Sequence, residues 1–425
     1  MRVGGAEGRL WPDPCGAAVA YCSDMGQRAA RLVRSIAALT TLVAAAGCAS
    51  GARAGGAPPA PPPQIAHTGS SHALSTVPPS TPLRAGERFT TLAVDRPYAP
   101  APPAGGTDEY RCFLVDPGLT RQAFLTGSQF LPRNAAIVHH AIFYRVTPED
   151  VAAARGLDSD DPGDGWTCFG GTGIGGSDPR RRLAGAGDWV AAWGPGGGER
   201  RAPAGTGFVL EPGGQLVMQI HYNLLRVPPG TATDQPGIRL RLMDGAADLV
   251  PLRTTLLPAP VELPCAAGES GPLCDRTAAV FDVIRRFGEH AGATVAGLSL
   301  LCMPAGRPVA GAVQHCDHRV DETGRIYAVA GHMHLLGTAI KVELNPGTPR
   351  ARTLLDVRAY SFHDQPTVAL PRPVAVHAGD TYRVTCTHDA TQRQHLAELR
   401  GLPPRYVVWG DGSTDEMCLG IVVRD

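Results

Sequence analysis

Short apolar runs separated by glycine, proline, aspartate and asparagine fill the chain from about residue 88 onwards. Examples are FTTLAV, AIVHHAIFYRV and GQLVMQIHYNLL in the first half, and PRPVAVHAGDTYRVTC in the second. Runs of this length between turn-forming residues are typical of β-strands. A helical repeat of apolar positions is clear only over residues 276–290. The pattern therefore predicts an all-β chain built as two β-sandwiches.

The join between the two sandwiches is expected near residues 245–262. There the sequence DGAADLVPLRTTLLPAPVELP loses the apolar-polar alternation and gains prolines. A chain of 425 residues is long enough for two domains. We therefore predict an N-terminal domain over residues 88–250 and a C-terminal domain over residues 251–425.

The start of the chain has the composition of a targeting segment. Residues 25–48 combine a basic beginning, an apolar run of about a dozen residues and small residues before Cys48, which is the form of a signal peptide. Their ending AAGC resembles a bacterial lipoprotein cleavage site, with Cys48 as the lipidated residue. Residues 1–24 show no targeting pattern, so Met25 is the better start. We expect an exported lipoprotein that is anchored in the periplasm or on the cell surface. If residues 25–48 are instead an ordinary secretory signal peptide, we expect a secreted protein.

Residues 49–87 are rich in alanine, proline and serine and nearly free of large apolar side chains. Such a segment cannot bury enough apolar surface to fold, so we predict a disordered linker. The formal net charge of the chain is zero, which gives no indication of a nucleic-acid partner. Small molecules are the expected partners, with membrane contact only through the lipid anchor.

Cysteine content predicts a disulfide framework for the exported part. Beyond the leader and Cys48 the chain holds an even set of cysteines: Cys112, Cys168, Cys265, Cys274, Cys302, Cys316, Cys386 and Cys418. An even set in an exported chain indicates disulfides, and eight cysteines allow about 105 pairings. Cys265 with Cys274 and Cys302 with Cys316 would close local loops.

Soft metal ligands occur in four separated motifs. They are His139 and His140 in AIVHHAIFY, His221 in VMQIHYN, His332 and His334 in GHMHLLG, and Met417 in TDEMCLG. Imidazole suits several late first-row metals, and an added thioether shifts the preference towards copper. The zinc hydrolase motif H-E-x-x-H is absent from the sequence. The ligand set therefore indicates a redox copper protein.

Strand geometry gives the spacing of these ligands a meaning. His332 and His334 are two residues apart, so both side chains leave the same face of a strand and Met333 points to the other. The adjacent His139 and His140 would point to opposite faces unless a bulge or a strand end intervenes.

Taken alone, each ligand has an ordinary explanation. A single histidine such as His221 is more often a core or surface residue. A methionine beside a cysteine, such as Met417, more often packs in the hydrophobic core. Six further histidines show no partner pattern and are expected at loops, turns or strand ends; they are His315, His318, His363, His377, His388 and His395. What favours a metal centre is the whole set.

The ordered set of motifs resembles the copper type II, ascorbate-dependent monooxygenases, the family of peptidylglycine hydroxylating monooxygenase and dopamine beta-monooxygenase. The matching pieces are EYRCFLVDPG, AIVHHAIFY, VMQIHYN, GHMHLLG, PVAVHAGDTYRVTC and TDEMCLG, over residues 110–420. The resemblance implies two jelly-roll-like domains in tandem. It also implies two coppers per chain, one held by each domain on the walls of a solvent-filled cleft.

The resemblance further implies roles for particular residues. His139, His140 and His221 would hold the electron-transfer copper, and Gln219 would support that site. His332, His334 and Met417 would hold the catalytic copper, where oxygen and substrate meet. The implied disulfides are Cys112 with Cys168 and Cys386 with Cys418.

The implied reaction is hydroxylation of a C–H bond with O2 and two electrons from ascorbate or a similar reductant. The peptidylglycine enzymes hold a substrate carboxylate with polar side chains at positions where this chain has Ala330, Leu419 and Ile421. We therefore expect a small and less polar substrate. Two other functions stay open: an exported copper-handling protein without turnover, and a disulfide-rich surface module without copper.

Overall fold

The structure is a computed structural model that describes residues 80–103, 106–175, 189–194, 197–225, 227 and 232–425. These residues belong to one compact unit, which spans Gly69–Asp425. The predicted leader, the signal peptide with Cys48 and most of the predicted linker lie outside the described residues. Within the described part, none of the helices has the length and apolar character needed to cross a membrane.

The N-terminal half is built mainly of strands. They are β1 (Arg88–Ala93), β2 (Asp108–Val115), β3 (Ala123–Leu131), β4 (Val138–Val146), β5 (Trp166–Thr167), β6 (Trp189–Trp193), β7 (Arg200–Arg201), β8 (Thr206–Leu210), β9 (Gln215–Asn223), β10 (Gly237–Asp244) and β11 (Val250–Pro251). One sheet has the order β1-β10-β3-β8-β11, with β7 paired to β3, and the other has the order β5-β2-β9-β4-β6. Helix α1 (Val151–Asp160) follows β4.

The strand β9 explains how this half positions the candidate ligands. Met218, Ile220 and Tyr222 are fully buried in the core between the two sheets. The alternate residues, which include Val217 and His221, point to the other face of the sheet. Both faces are therefore covered, and this is why the sequence of β9 reads as an almost continuous apolar run.

The C-terminal half continues the mainly β architecture. Its strands are β12 (Arg253–Pro258), β13 (Glu262–Leu263), β14 (Val313–Arg319), β15 (Gly324–His332), β16 (Gly337–Leu344), β17 (Arg352–Val357), β18 (Val368–Val376), β19 (Thr381–His388), β20 (Val407–Val408) and β21 (Leu419–Arg424). The sheets have the orders β12-β21-β15-β18 and β14-β19-β16-β17, with β13 paired to β20. Ile326, Val342, Val384 and Val422 form part of the core between them. The all-β class is thus confirmed.

The predicted join contains regular structure. Strand β12 begins at Arg253 and pairs antiparallel with β21 over its whole length, so the chain has entered a C-terminal sheet well before residue 262. The prolines that suggested a linker lie at or near the ends of this strand. The division into domains at residue 250 stays a prediction.

The helical segment is longer than the sequence predicts. Helix α2 (Arg276–Phe287) begins at Asp275, whose side chain accepts a hydrogen bond from the backbone N–H of Ala278. It ends at Gly288, which adopts a φ of 91° that favours glycine. Helix α3 (Glu289–Cys302) follows at once. Its apolar residues are spread round the helix, so it lacks the periodicity that made α2 visible in the sequence. A short helix α4 (Gln392–His395) completes the set of described α-helices.

Residues 80–87 were included in the predicted disordered linker, and the structure corrects this boundary. The guanidinium of Arg241 is fully buried and donates hydrogen bonds to the carbonyl oxygens of Thr81 and Pro82. It also forms ion pairs with Glu87 and Glu199, at 2.6 and 2.7 Å between nitrogen and oxygen. A buried arginine requires such partners, so this segment is part of the fold despite its composition.

Four disulfides join cysteines within the described part of the chain. The pairs are Cys112–Cys168, Cys265–Cys274, Cys302–Cys316 and Cys386–Cys418. They are the two local loops expected from spacing and the two pairs implied by the family resemblance. The first ties β2 to the segment after β5, and the last ties β19 to the residue after Met417.

Candidate metal centre

A bulge in β4 brings the first group of histidines together. Strands β4 and β9 are antiparallel, with Val138 opposite Tyr222 and His140 opposite His221. The chain advances two residues on β4 for one on β9, so His139 is the extra residue of a β-bulge. The bulge removes the strict alternation that would have sent His139 and His140 to opposite faces. This is the local irregularity that the adjacent pair required.

The three side chains of this group converge through the same ring nitrogen. The Nδ1 atom of His139 lies 3.0 Å from Nδ1 of His140 and 3.2 Å from Nδ1 of His221. Nitrogens that share one ion at metal–nitrogen bonds of about 2.0 Å lie roughly this far apart. The three residues form a group whose potential ligand atoms all lie within 4.8 Å of one another. The structure thus brings together the three predicted ligands of the first site.

Burial keeps His139 and His140 neutral. Burial, reinforced by the neighbouring His221 and His140, lowers the pKa of His139 well below its usual range. Burial followed by the effect of His221 does the same to the pKa of His140. The Nε2 atoms of His139 and His140 are buried without a hydrogen-bond partner in the described part of the chain. Neutral imidazole is the form that binds metal, so the environment favours coordination.

Asp108 orients the third histidine, and the sequence analysis did not identify it. His221 Nε2 donates to the Asp108 carboxylate at 2.8 Å, which leaves the lone pair on Nδ1 directed at the other two rings. Burial alone would raise the pKa of Asp108, but interactions with His221, Ser413 and Asn223 outweigh it and lower the pKa to about 2. A carboxylate on the outer nitrogen of a metal-bound imidazole is a common supporting contact. The register that places Asp108 in β2 near His221 in β9 was not visible in the sequence.

The loop before Met417 closes over the first group. Ser413 Oγ donates to Asp108 at 2.8 Å, and the Tyr110 hydroxyl donates to the carbonyl oxygen of Asp411 at 2.8 Å. The Tyr110 ring stacks on His221 with centroids 4.1 Å apart. Residues 411–413 of the C-terminal half therefore contact the supports of the first site.

Gln219 lies two residues before His221, on the same side of β9. Its amide donates to the carbonyl oxygen of Cys168 at 2.9 Å and accepts from the Tyr144 hydroxyl at 3.2 Å. These bonds join β9 to β4 and to the Cys112–Cys168 disulfide. Gln219 therefore supports the first site indirectly, because it holds together the strands that carry the histidines.

The second group lies where β15 ends. His332 is opposite Leu419 in the antiparallel pair β15–β21. The His332 and His334 ring centroids are 5.1 Å apart, with the ring planes at 83°. Met333 is fully buried in the core on the opposite side. The two histidines thus leave the same side of the chain, as their spacing predicts, although the strand itself stops at His332.

Glu416 connects this turn with Met417. Its carboxylate is fully buried and accepts from the backbone N–H groups of His334, at 2.9 Å, and of Leu336, at 2.5 Å. His332 and Leu419 are the last pair between β15 and β21, so His334 lies two residues after this pair and Met417 two residues before it. Met417 is itself buried, beside the Cys386–Cys418 disulfide. The carboxylate and the disulfide therefore hold the methionine segment against the histidine turn.

His388 lies at a strand end, as expected, and it has contacts there that the sequence pattern did not indicate. It is buried at the end of β19, and its Nε2 lies 3.2 Å from the carbonyl oxygen of Met417 and 3.3 Å from the Glu416 carboxylate. The residue thus braces the methionine segment from behind. Its position in the sequence gave no indication of this contact, because it depends on the packing of β19 against the loop.

One loop of the C-terminal half contacts both groups. Gln365 Oε1 accepts a hydrogen bond from His332 Nδ1 at 2.6 Å, which leaves Nε2 as the free nitrogen of that ring. Phe362 stacks on His139 with centroids 4.0 Å apart and ring planes at 13°. The Tyr360 hydroxyl accepts from the backbone N–H of Met333 and donates to its carbonyl oxygen. The sequence analysis did not identify these three residues as part of the site.

The two groups adjoin each other. The ring centroids of His140 and His332 are 5.5 Å apart, with the planes nearly perpendicular. Burial, with a smaller effect of His334, lowers the pKa of His332 to about 3. Burial also lowers the pKa of His334. Five imidazoles therefore line a single buried region between the halves, and Glu416 and the Cys386–Cys418 disulfide hold the Met417 segment beside it. This donor set fits copper.

Residues 303–423 match a family model described as the copper type II ascorbate-dependent monooxygenase, C-terminal domain. This match assigns the C-terminal part of the chain to that family. The match covers β14 to β21, and so it includes His332, His334 and Met417. Copper and ascorbate dependence are properties of the family. The copper dependence agrees with the donor chemistry of the two groups.

Other comparisons add no argument about function. No curated protein matches the chain. Among solved structures, an allantoicase is 10% identical over 77% of this chain and 90% of its own, at a TM-score of 0.16. A fucolectin from striped bass serum is 6% identical over 79% and 96%, at 0.16. A Bacillus subtilis oxalate decarboxylase variant is 9% identical over 75% and 69%, at 0.13. TM-scores this low carry no weight.

Asp108 provides a test of the first ligand group. Replacing it by asparagine keeps the shape but removes the charge that favours a proton on His221 Nε2. We expect the affinity of the first group for copper to fall by about 10–100-fold, the usual effect of losing such a supporting contact. Titration of the copper-free chain with Cu(I) against a competing chelator measures this. The second group serves as the internal control, because its affinity should stay unchanged.

Proposed function

We propose that the chain is an exported copper-dependent monooxygenase that hydroxylates a C–H bond of a small apolar substrate, using O2 and two electrons from ascorbate or a similar reductant. The balanced reaction is R–H + O2 + 2 e⁻ + 2 H⁺ → R–OH + H2O. The observation that carries the proposal is the adjacency of two ligand groups of different chemistry, within contact of each other at His140 and His332.

The two groups suit different parts of this reaction. Bound copper would supply oxygen activation and one-electron transfer. The reaction needs two electrons in addition to those of the substrate C–H bond, and each copper ion would supply only one. His139, His140 and His221 offer three imidazoles held by a bulge, a carboxylate and a stacked ring, which suits an ion that cycles with little change of ligands. His332, His334 and Met417 include a thioether, which favours Cu(I), the state that reacts with oxygen. We therefore assign the electron reserve to the first group and catalysis to the second.

The surroundings of the second group support an apolar substrate. Ala330 is two residues before His332 on β15, and it is paired with Ile421 of β21. Ala330 and Leu419 are largely buried. The positions at which peptidylglycine enzymes hold a carboxylate are therefore apolar side chains on the sheet that ends at His332. A substrate with a free carboxylate would lose hydration there without gaining a partner.

Localisation and architecture complete the proposal. The signal-peptide form of residues 25–48 supports export, with lipid attached to Cys48 as the membrane anchor. The two β-sandwiches support the tandem jelly-roll arrangement of the family, with one copper in each half. O2, the reductant and the substrate are then the partners of the site.

Copper content and oxygen uptake test the proposal. The compact unit, residues 69–425, is made in an oxidising compartment, loaded with copper and analysed for metal per chain. Oxygen consumption is then followed with ascorbate and a panel of small apolar and amine compounds. We expect about two copper ions per chain and uptake that depends on the added compound. Copper binding without uptake for any compound would favour the copper-handling function, and less than one copper per correctly oxidised chain would exclude both.

A further inference from the structure

The region around α2, α3 and the start of β14 exposes large apolar side chains to solvent. Among the described residues, the five such side chains with the highest exposed fractions all lie between positions 281 and 313. They are Phe281, Leu300, Leu301, Val309 and Val313, which are 51% to 76% exposed. The other large apolar side chains exposed in that part of the chain reach at most 42%. Single exposed apolar residues are common on soluble proteins, whereas a concentration of them marks an interaction surface.

Covalent and polar contacts connect these five residues. Helix α3 carries the two leucines in its last turn, and the Cys302–Cys316 disulfide ties the end of this helix to β14. The side-chain amide of Gln314 in β14 donates to the carbonyl oxygen of Val309 at 2.9 Å. Helix α2, which carries Phe281, packs along α3. The five side chains therefore stand on one connected part of the C-terminal half, and together they are called the apolar surface.

The end of α3 and the segment after it carry no acidic residue. From residue 290 to residue 316 the sequence has no aspartate, glutamate or lysine, and its one arginine is Arg307, which is exposed. Ala293, Ala296 and Leu300 are exposed on α3, where a helix of a soluble domain usually presents charged side chains to water. Apolar side chains with a cation among them are complementary to a phospholipid bilayer, whose interface accepts apolar groups and whose anionic headgroups attract arginine.

A bilayer is within reach of the apolar surface under the proposed function, which attaches lipid to Cys48. Residues 49–79, which are 31 in number, lie between Cys48 and the first described residue. A chain of that length spans at most about 110 Å. The fold is thus confined near the membrane, and the confinement raises the effective concentration of the bilayer at its surface. Even a weak docking contact is populated under that condition.

From these observations we propose that the apolar surface docks the protein onto the phospholipid bilayer in which it is anchored. The inference goes beyond the proposed function and rests on its export and lipid anchor. It adds a noncovalent contact to the lipid, which the sequence analysis expected to be the only membrane contact. Leu300 and Leu301 would enter the boundary between headgroups and acyl chains, and Arg307 would extend to the headgroups. A second copy of the chain is the competing occupant, because β14 is the edge strand of its sheet.

Vesicle binding by the compact unit, residues 69–425, tests the apolar surface without the lipid anchor. The copper-loaded protein is mixed with vesicles of phosphatidylethanolamine and phosphatidylglycerol, and the bound fraction is measured by sedimentation. In the double variant Leu300→Gln, Leu301→Gln the new residues also favour helix, so the fold is retained. We expect its partition coefficient to fall at least about tenfold, because it loses two apolar side chains that the bilayer would bury.

The matched control replaces two exposed apolar side chains outside the apolar surface. Leu83 and Val368 are 42% and 41% exposed. The double variant Leu83→Gln, Val368→Gln should bind the vesicles as the unmodified chain does. A general effect of lower surface hydrophobicity would instead weaken both double variants alike. Circular dichroism shows that both are folded.

Reversal of the single charge at the apolar surface gives a second readout. Arg307→Glu should weaken binding to the anionic vesicles about fivefold or more, because it turns an attraction to phosphatidylglycerol into a repulsion. Binding to vesicles of uncharged phosphatidylcholine should change by less than about twofold. Arg352→Glu makes the same change at an exposed position of β17 and should leave both kinds of binding unaltered.

The outcomes separate failure of this inference from failure of the proposed function. Absence of vesicle binding by the unmodified chain, or equal binding by the two double variants, would overturn the docking surface. Analytical ultracentrifugation without vesicles tests the competing occupant: a dimer that Leu300→Gln, Leu301→Gln converts to a monomer would assign the surface to a second copy. Vesicle binding by a chain that takes up no oxygen with any compound would leave the docking surface intact and count against the monooxygenase alone.

Discussion

Replacing Met417 by alanine is expected to lower turnover by at least about 100-fold while the chain still binds about one copper ion. Loss of a contact that only supports a metal ligand lowers activity by up to about 100-fold, and this change removes the ligand itself. The first group lies on other strands and keeps its three imidazoles, so its ion should remain. Metal analysis and oxygen uptake on the same sample measure both effects.

A matched pair of variants separates the loss of the ligand from damage to the fold. Met417 is buried next to the Cys386–Cys418 disulfide, so alanine also creates a cavity. Met417→Leu keeps the volume and removes only the thioether, and it should show the same loss of copper with a smaller loss of stability. His221→Ala is the converse change and should remove the first ion while the second stays bound. Loss of both ions from any one of these changes would contradict two separate sites.

Replacing Arg241 by methionine is expected to destabilise the fold by about 3–5 kcal/mol. The arginine side chain and Glu87 are fully buried, and Glu199 is nearly so, so the change leaves two carboxylates inside without their cation. Arg239→Met is the control on the same strand, because Arg239 is partly exposed and its loss should cost about 1 kcal/mol or less. Chemical denaturation monitored by tryptophan fluorescence measures both values.

The same cluster predicts a dependence of stability on pH. Burial alone would raise the pKa of Glu87 and of Glu199, but the bonds from Arg241 and from Thr81, Arg84 and Thr126 outweigh it and lower both values below 4.5. A carboxyl group whose pKa is lower in the folded state than in the unfolded state stabilises the fold at pH values above its unfolded pKa. This stabilisation is lost as the pH falls through the folded pKa. The unmodified chain should therefore lose stability below about pH 4.5 more steeply than Arg241→Met. Parallel curves for the two proteins would show that these ion pairs do not stabilise the fold.

Much of the fold could be predicted because strand formation depends on local pattern. The alternation in β10 and β19 and the apolar run of β9 were visible in the sequence, and they are strands. Helix α3 was missed because its apolar residues show no helical periodicity. Residues 80–87 were assigned to the linker because composition carries no information about Arg241, which lies more than 150 residues away and holds them in place.

The sequence by itself determined the chemistry of this protein: which side chains can bind metal, that a thioether accompanies the imidazoles, and that the cysteines form an even set. These are properties of residue types and short spacings, which survive in an unfolded chain. Only the tertiary structure decided that a bulge at His139 lets neighbouring histidines converge. It also decided that Asp108 orients His221, and that Phe362 and Glu416 bring the two halves to one region. Those relations depend on strand register and loop packing, which the order of residues along the chain does not display.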